Sequence, residues 1–134
     1  MKLNQLQNTQ VTISTKINRT ENMEKVKNSL RNITTNDQEI TIIKTDNNKK
    51  IEISGDINIL STIKKRIKSQ EYTLLARNIF ERNKTENNLI FYVNKQSAYN
   101  NNFHMIDENI SSLDDIKVEI STENMDDVID YLLS

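Results

Sequence analysis

A chain of 134 residues has room for one hydrophobic core, and 35% hydrophobic against 28% charged residues puts it on the polar side of globular composition. There is no cysteine and a single histidine, His104, which excludes disulfides, thiolate nucleophiles and multi-His metal sites. The net charge is only −1, so self-repulsion does not hold the chain open, and MKLNQLQNTQ at the start carries no apolar run, so no signal peptide or membrane anchor is expected and the cytoplasm is the expected compartment.

Residues 1–10 read as a flexible N-terminus and 11–134 as one domain. Val11 to Ile17 alternates apolar and polar residues and is rich in β-branched types, which predicts a half-buried strand. Thr20 offers an N-cap, Glu21 and Glu24 fall in the first turn, and Met23, Val26, Leu30 and Ile33 give the helix one apolar stripe. Glu39–Lys44 and Lys49–Ser54 predict a hairpin around Asn47-Asn48. With one glycine and no proline in the chain, asparagine is the residue left to take turn conformations, and its clusters mark the loops.

Asp56 can cap the next helix. From Ile57 to about Lys84 the period is helical, but the Leu60–Ile63–Ile67 stripe is rotated from the Tyr72–Leu75–Ile79 stripe, which predicts a break near Ser69-Gln70. Asn88–Lys95 is the most apolar strand and is expected near the sheet centre, Ile116–Ser121 is another strand, and Asn124 caps a last helix that turns Met125, Val128, Ile129 and Leu132 inward. Hairpin-linked strands with clustered helices indicate an α+β two-layer sandwich: an antiparallel-rich mixed sheet of about five strands covered on one face by helices.

Charge is divided along the chain. Residues 1–84 hold 16 Lys/Arg against 9 Asp/Glu, a net +7, and residues 85–134 hold 2 against 10, a net −8. The densest basic run is Lys64, Lys65, Arg66 and Lys68, with Arg77, Arg82 and Lys84 further along. Fixed cations on one face suit nucleic-acid phosphate, because neutralising phosphates releases counterions. The competing explanations are a solvated helix face, or cancellation by the acidic final third. Asp114, Asp115, Asp126, Asp127 and Asp130 could serve a basic partner or a metal, or simply cap a helix and keep its outer face wet. Asp126 and Asp130 stand one helical turn apart.

No catalytic constellation is present. His104 has no nucleophile or second catalytic group near it in sequence, no Gly-rich phosphate loop or zinc signature occurs, and a non-enzymatic protein without metal or cofactor is expected. Phe91 and Tyr92 are adjacent on a strand and so face opposite sides of it, Phe91 toward the core and Tyr92 toward a sheet edge or partner.

The most distinctive stretch is FYVNKQSAY, Phe91 to Tyr99, an apolar strand stopped by Asn94-Lys95-Gln96 and then small residues. It resembles the motif of an uncharacterised archaeal conserved family assigned to RNA binding, in which a strand ends in Asn/Asp-Lys-Gln-Ala-Ala-Phe/Tyr. Thr20-Glu21 with Glu24-Lys25-Val26, Leu74-Leu75-Ala76-Arg77, and Val128-Ile129-Asp130-Tyr131-Leu132 resemble its first, its Ala-Arg-containing and its C-terminal helices. Arg19 departs from a usual Pro and Asn100 from a frequent Gly, though Asn100 can take a left-handed turn.

The resemblance spans about Val11 to Leu133. It implies a fold similar to the ribosomal protein that binds 5S ribosomal RNA, and structured RNA as partner. By carry-over, Lys95 would meet phosphate, Gln96 a sugar or base edge, and Arg77 would contribute from its helix. Alternatively Asn94 and Gln96 satisfy backbone groups where the strand turns, and Arg77 pairs with an acid. The expected site is therefore Lys64, Lys65, Lys68, Arg77, Asn94, Lys95 and Gln96. The alternative is a protein-interaction subunit, self-associating through an edge strand or engaging a basic partner through the acidic C-terminal helix.

Overall fold

Alternating β-branched strands bury every second residue, and the sheet they build here is apolar on one face only. The computed structural model describes residues 6, 8–34, 39–46, 48–106 and 115–134. Six strands occur among them: β1 (Gln10–Ile17), β2 (Thr41–Lys44), β3 (Lys49–Gly55), β4 (Asn88–Val93), β5 (Met105–Ile106) and β6 (Ile116–Ser121). They form one sheet in the order β2-β3-β1-β6-β4-β5, with every described pairing antiparallel. Five α-helices accompany it among the described residues: α1 (Met23–Ile33), α2 (Ser61–Ser69), α3 (Thr73–Asn83), α4 (Lys95–Tyr99) and α5 (Met125–Leu133). A short 3-10 turn, Ile57–Leu60, capped by Asp56, leads into α2.

The register aligns the core across four strands. Ile53 stands opposite Ile13, Ile13 opposite Val118, and Val118 opposite Phe91. All four are buried, and the Phe91 ring meets Phe80 of α3 at 5.1 Å between centroids, tilted by 56°. Burying such a ring stabilises the fold by about 1.5–3 kcal/mol. The helices cover this face, α1 against β1 and α3 against β4, while α5 packs on α2 and α3. The opposite face carries Thr12, Ser14, Glu52, Tyr92, Lys117 and Glu119, with ion pairs running along single strands: Lys50–Glu52 at 3.5 Å and Lys117–Glu119 at 3.6 Å.

The α+β two-layer architecture expected from the sequence is the one found, with one strand more than the five counted and no parallel pairing among the described strands. The extra strand is β5, two residues long and too short to leave a periodic signal. It caps β4, so β4 lies second from the sheet edge and β1 and β6 are central. The strand Asn88–Lys95 is shorter than expected because Asn94 starts α4. Before β1, Leu6 is fully buried in the core and the Thr9 hydroxyl bonds to Thr122 at 3.0 Å.

The break between α2 and α3 falls where the rotated stripes place it. Glu71 is left-handed (φ 58°), the Glu71 N–H donates to the Lys68 carbonyl and the Tyr72 N–H to that of Ile67 at 2.9 Å, closing a Schellman-type C-cap. The kink rotates α3 so that Ala76, Ile79 and Phe80 face inward, leaving Leu75, expected in the core, 41% exposed and Leu74 71% exposed. The same pair of bonds closes α4, from Asn101 N–H to the Ala98 carbonyl and from Asn102 N–H to that of Ser97. The left-handed residue there is Asn101, one position after the Asn100 expected from the sequence. Two expected features, Asn47 of the hairpin turn and Asp114, lie outside the described residues.

Candidate nucleic-acid interface

Helix α1 is capped by Asn22, whose side-chain oxygen accepts from the Glu24 and Lys25 N–H groups at 2.9 and 3.2 Å. Thr20 does not cap it, because the preceding turn is closed by Glu21. Its Oε1 accepts from the Asn18 N–H and from Asn18 Nδ2, both at 2.9 Å. The rest of that carboxylate faces inward, toward α4.

There the strand-end motif resolves into separate roles. Asn94 is the N-cap of α4, its side chain accepting from the Ser97 N–H at 2.8 Å. Gln96 is exposed. Lys95 is not: its side chain is 0% exposed, and Nζ donates to the Lys16 carbonyl at 2.8 Å and to Glu21 Oε1 at 3.1 Å. The Lys95 N–H points at Asp115 Oδ1, 3.4 Å away. One helical turn on, the Tyr99 hydroxyl donates to Glu21 Oε2. The expected phosphate contact of Lys95 is therefore corrected: an ammonium walled in by β1, α4 and the Glu21 carboxylate ties the strand end to the β1–α1 turn and presents nothing to a ligand.

Burial alone would push the Glu21 carboxyl up, but hydrogen bonds from Tyr99, the Asn18 backbone and Lys95 outweigh it and hold the group below its ordinary value. Burial, with the Glu21 carboxylate as acceptor, pushes the Tyr99 hydroxyl well above the usual phenol range. Sequence reading placed Glu21 in the first helical turn and missed its partner. The available signal was the spacing of Lys95 and Tyr99, four residues apart and so on one face of α4.

The basic helices present a different picture. On α2, Lys64 is spent on its neighbour, with Nζ donating to the Ser134 carbonyl at 2.8 Å and lying 5.1 Å from the Tyr131 ring centroid. Arg66 donates to the Asn101 carbonyl at 3.0 Å. Beyond α3, Lys84 pairs with Glu81 at 3.1 Å and with Asp126 of α5 at 3.0 Å, and these acids push its pKa up. The acidic last helix thus does cancel part of the basic run. It does not reach Lys65 and Lys68, one turn apart on α2, or Arg77 on α3: all three are exposed and none pairs with an acid among the described residues. Leu74 is exposed on the turn before Arg77. Lys65, Lys68 and Arg77 are thus exposed on consecutive helices, and Lys95 is buried. His104 is exposed beside β5, and no cluster of His, Asp or Glu able to hold a metal ion occurs among the described residues.

Comparison with known proteins agrees with this architecture. A family model described as RNA binding matches residues 10–122. The chain is 35% identical over 79 residues to a UPF0201 protein of Methanothermobacter thermautotrophicus, a match spanning 59% of this chain and 60% of that relative. Among solved structures, the UPF0201 protein from Methanococcus jannaschii superposes with a TM-score of 0.81 at 29% identity, over 93% of this chain and 99% of that one. A protein from Sulfolobus solfataricus, at 20% identity and a TM-score of 0.64 over 92% of this chain and 96% of its own, shares the fold.

Proposed function

The chain belongs to the archaeal family whose model is described as RNA binding, and from that premise we propose that it binds structured RNA, without catalysis, through the exposed cations of α2 and α3. The observation that carries the reading is the selective engagement of the basic run by its neighbours. The Ser134 carbonyl holds Lys64 and Asp126 pairs with Lys84, while Lys65, Lys68 and Arg77 keep their charge facing solvent. Long cationic side chains on a rigid helix pair can meet successive backbone phosphates, positioning the RNA without reading its sequence. Gln96, exposed at the start of α4, is the expected polar contact to sugar or base, and Asn94 holds the helix that presents it. Filter binding of a structured RNA across a salt series tests the reading: log affinity falls linearly with log salt if phosphates are engaged, and a flat response contradicts it.

One observation favours a second reading, self-association through an edge strand. β2 is an edge of the sheet and carries Ile42, 40% exposed. Light scattering separates the two, since a monomer across the working concentration range leaves only the RNA reading.

A further inference from the structure

The sheet around the β2–β3 turn is built with like charges facing one another. Lys44 stands directly opposite Lys49 across the β2–β3 hairpin, and Lys50 opposite Lys16 in the adjoining pair of strands. Directly opposed like charges destabilise a sheet. Only Lys50 finds an acid, Glu52 on its own strand, while Lys16, Lys44, Lys49 and the nearby Arg19 are exposed with no ion pair among the described residues.

Between the β1–α1 turn and the hairpin lies a groove of about 380 Å³, walled by Asn18, Arg19 and Glu21 on one side and Lys44, Asn48 and Lys49 on the other. Glu21 would be the natural counter-charge, but Lys95 and Tyr99 hold its carboxylate from behind. With Glu21 so neutralised, Asp46 alone among the groove's described residues opposes Arg19, Lys44 and Lys49. A guanidinium and two ammonium groups lining one groove suit a phosphate oxygen cluster, which takes donors from several directions.

We propose that this groove is a phosphate-binding site that holds the backbone of the same nucleic acid, at a second point formed by elements separate from α2 and α3; the nucleic-acid part rests on the proposed RNA binding. The buried Lys95 then acts as a positioning residue, keeping Glu21 from occupying the site.

The test has two arms on the full chain. In the first, inorganic pyrophosphate is titrated and followed by amide NMR: saturable shifts confined to the β1–α1 turn and the hairpin, lost in K44A/K49A, are expected, and a flat titration overturns the site. In the second, K44A/K49A is assayed for structured RNA across salt. Its slope should fall by about 1.4–1.8, two contacts' worth. An unchanged slope, in a protein whose Lys65, Lys68 and Arg77 variants do lose slope, overturns the backbone assignment and leaves the helix reading standing. If wild-type chain binds no RNA, the helix reading fails instead, and pyrophosphate shifts in the groove then support a free-phosphate site.

Discussion

Lys95 Nζ lies 3.1 Å from Glu21 Oε1, with side chains 0% and 5% exposed, which makes the most distinctive residue of the strand-end motif an interior strut. Removing one partner strands the other charge where water cannot reach it. Lys95→Met should destabilise the fold by about 3–5 kcal/mol in urea unfolding, whereas E21Q/K95M should recover most of that loss. A Lys95→Met protein as stable as wild type would show that the pair is not closed in solution.

The same carboxylate, held by Tyr99, the Asn18 backbone and Lys95, sets an acid limit. The Glu21 carboxyl is held below its ordinary value of 4.5, so its contribution is fully present above that pH and is lost as pH falls through the lower, folded-state value. Unfolding free energy measured from about pH 6 down to about pH 2 should therefore fall less steeply in Glu21→Gln than in wild type. Parallel curves would contradict the network.

At the α2–α3 break, Glu71 occupies the left-handed region that a side chain disfavours by about 1–2 kcal/mol. Glu71→Gly should raise stability by about 0.5–1 kcal/mol, the relief being partly offset by the greater freedom glycine gives the unfolded chain. Urea unfolding at neutral pH checks it, and a destabilised variant would show that the Glu71 side chain has a role of its own.

Phe91 fills the middle of the core row against Phe80. Phe91→Ala should cost about 3–5 kcal/mol in the same urea unfolding measurement, because the rigid sheet beneath it cannot collapse into the cavity.

Much of the fold was legible from residue order. β1, β3 and β6 announce themselves by strict alternation, and the helix pair by two stripes out of phase. What the sequence could not show depends on long-range partners. Thr20 looked like a cap because Thr-Glu-x-x-Glu suits one, yet Glu21 is drawn away by Lys95, 74 residues later. Lys95 is a phosphate contact only by resemblance to the family's strand-end motif, and the packing of α4 against α1 and β1, which buries it, is not readable from that motif. Leu75 moved to the surface because the C-cap at Glu71 rotates α3, a geometry that periodicity alone does not fix. The basic run was visible, but not which cations the last helix would take.

The claim that Lys65, Lys68 and Arg77 carry RNA binding meets its most direct test in one comparison: the salt dependence of structured-RNA affinity for wild type and for K65A/K68A/R77A, with unfolding curves to confirm intact folds. The triple variant should unfold within about 0.5 kcal/mol per substitution of wild type, since exposed unpaired side chains contribute little stability. It should bind more weakly, with a log–log salt slope smaller by about 2–3. Equal slopes in the two folded proteins would contradict the account.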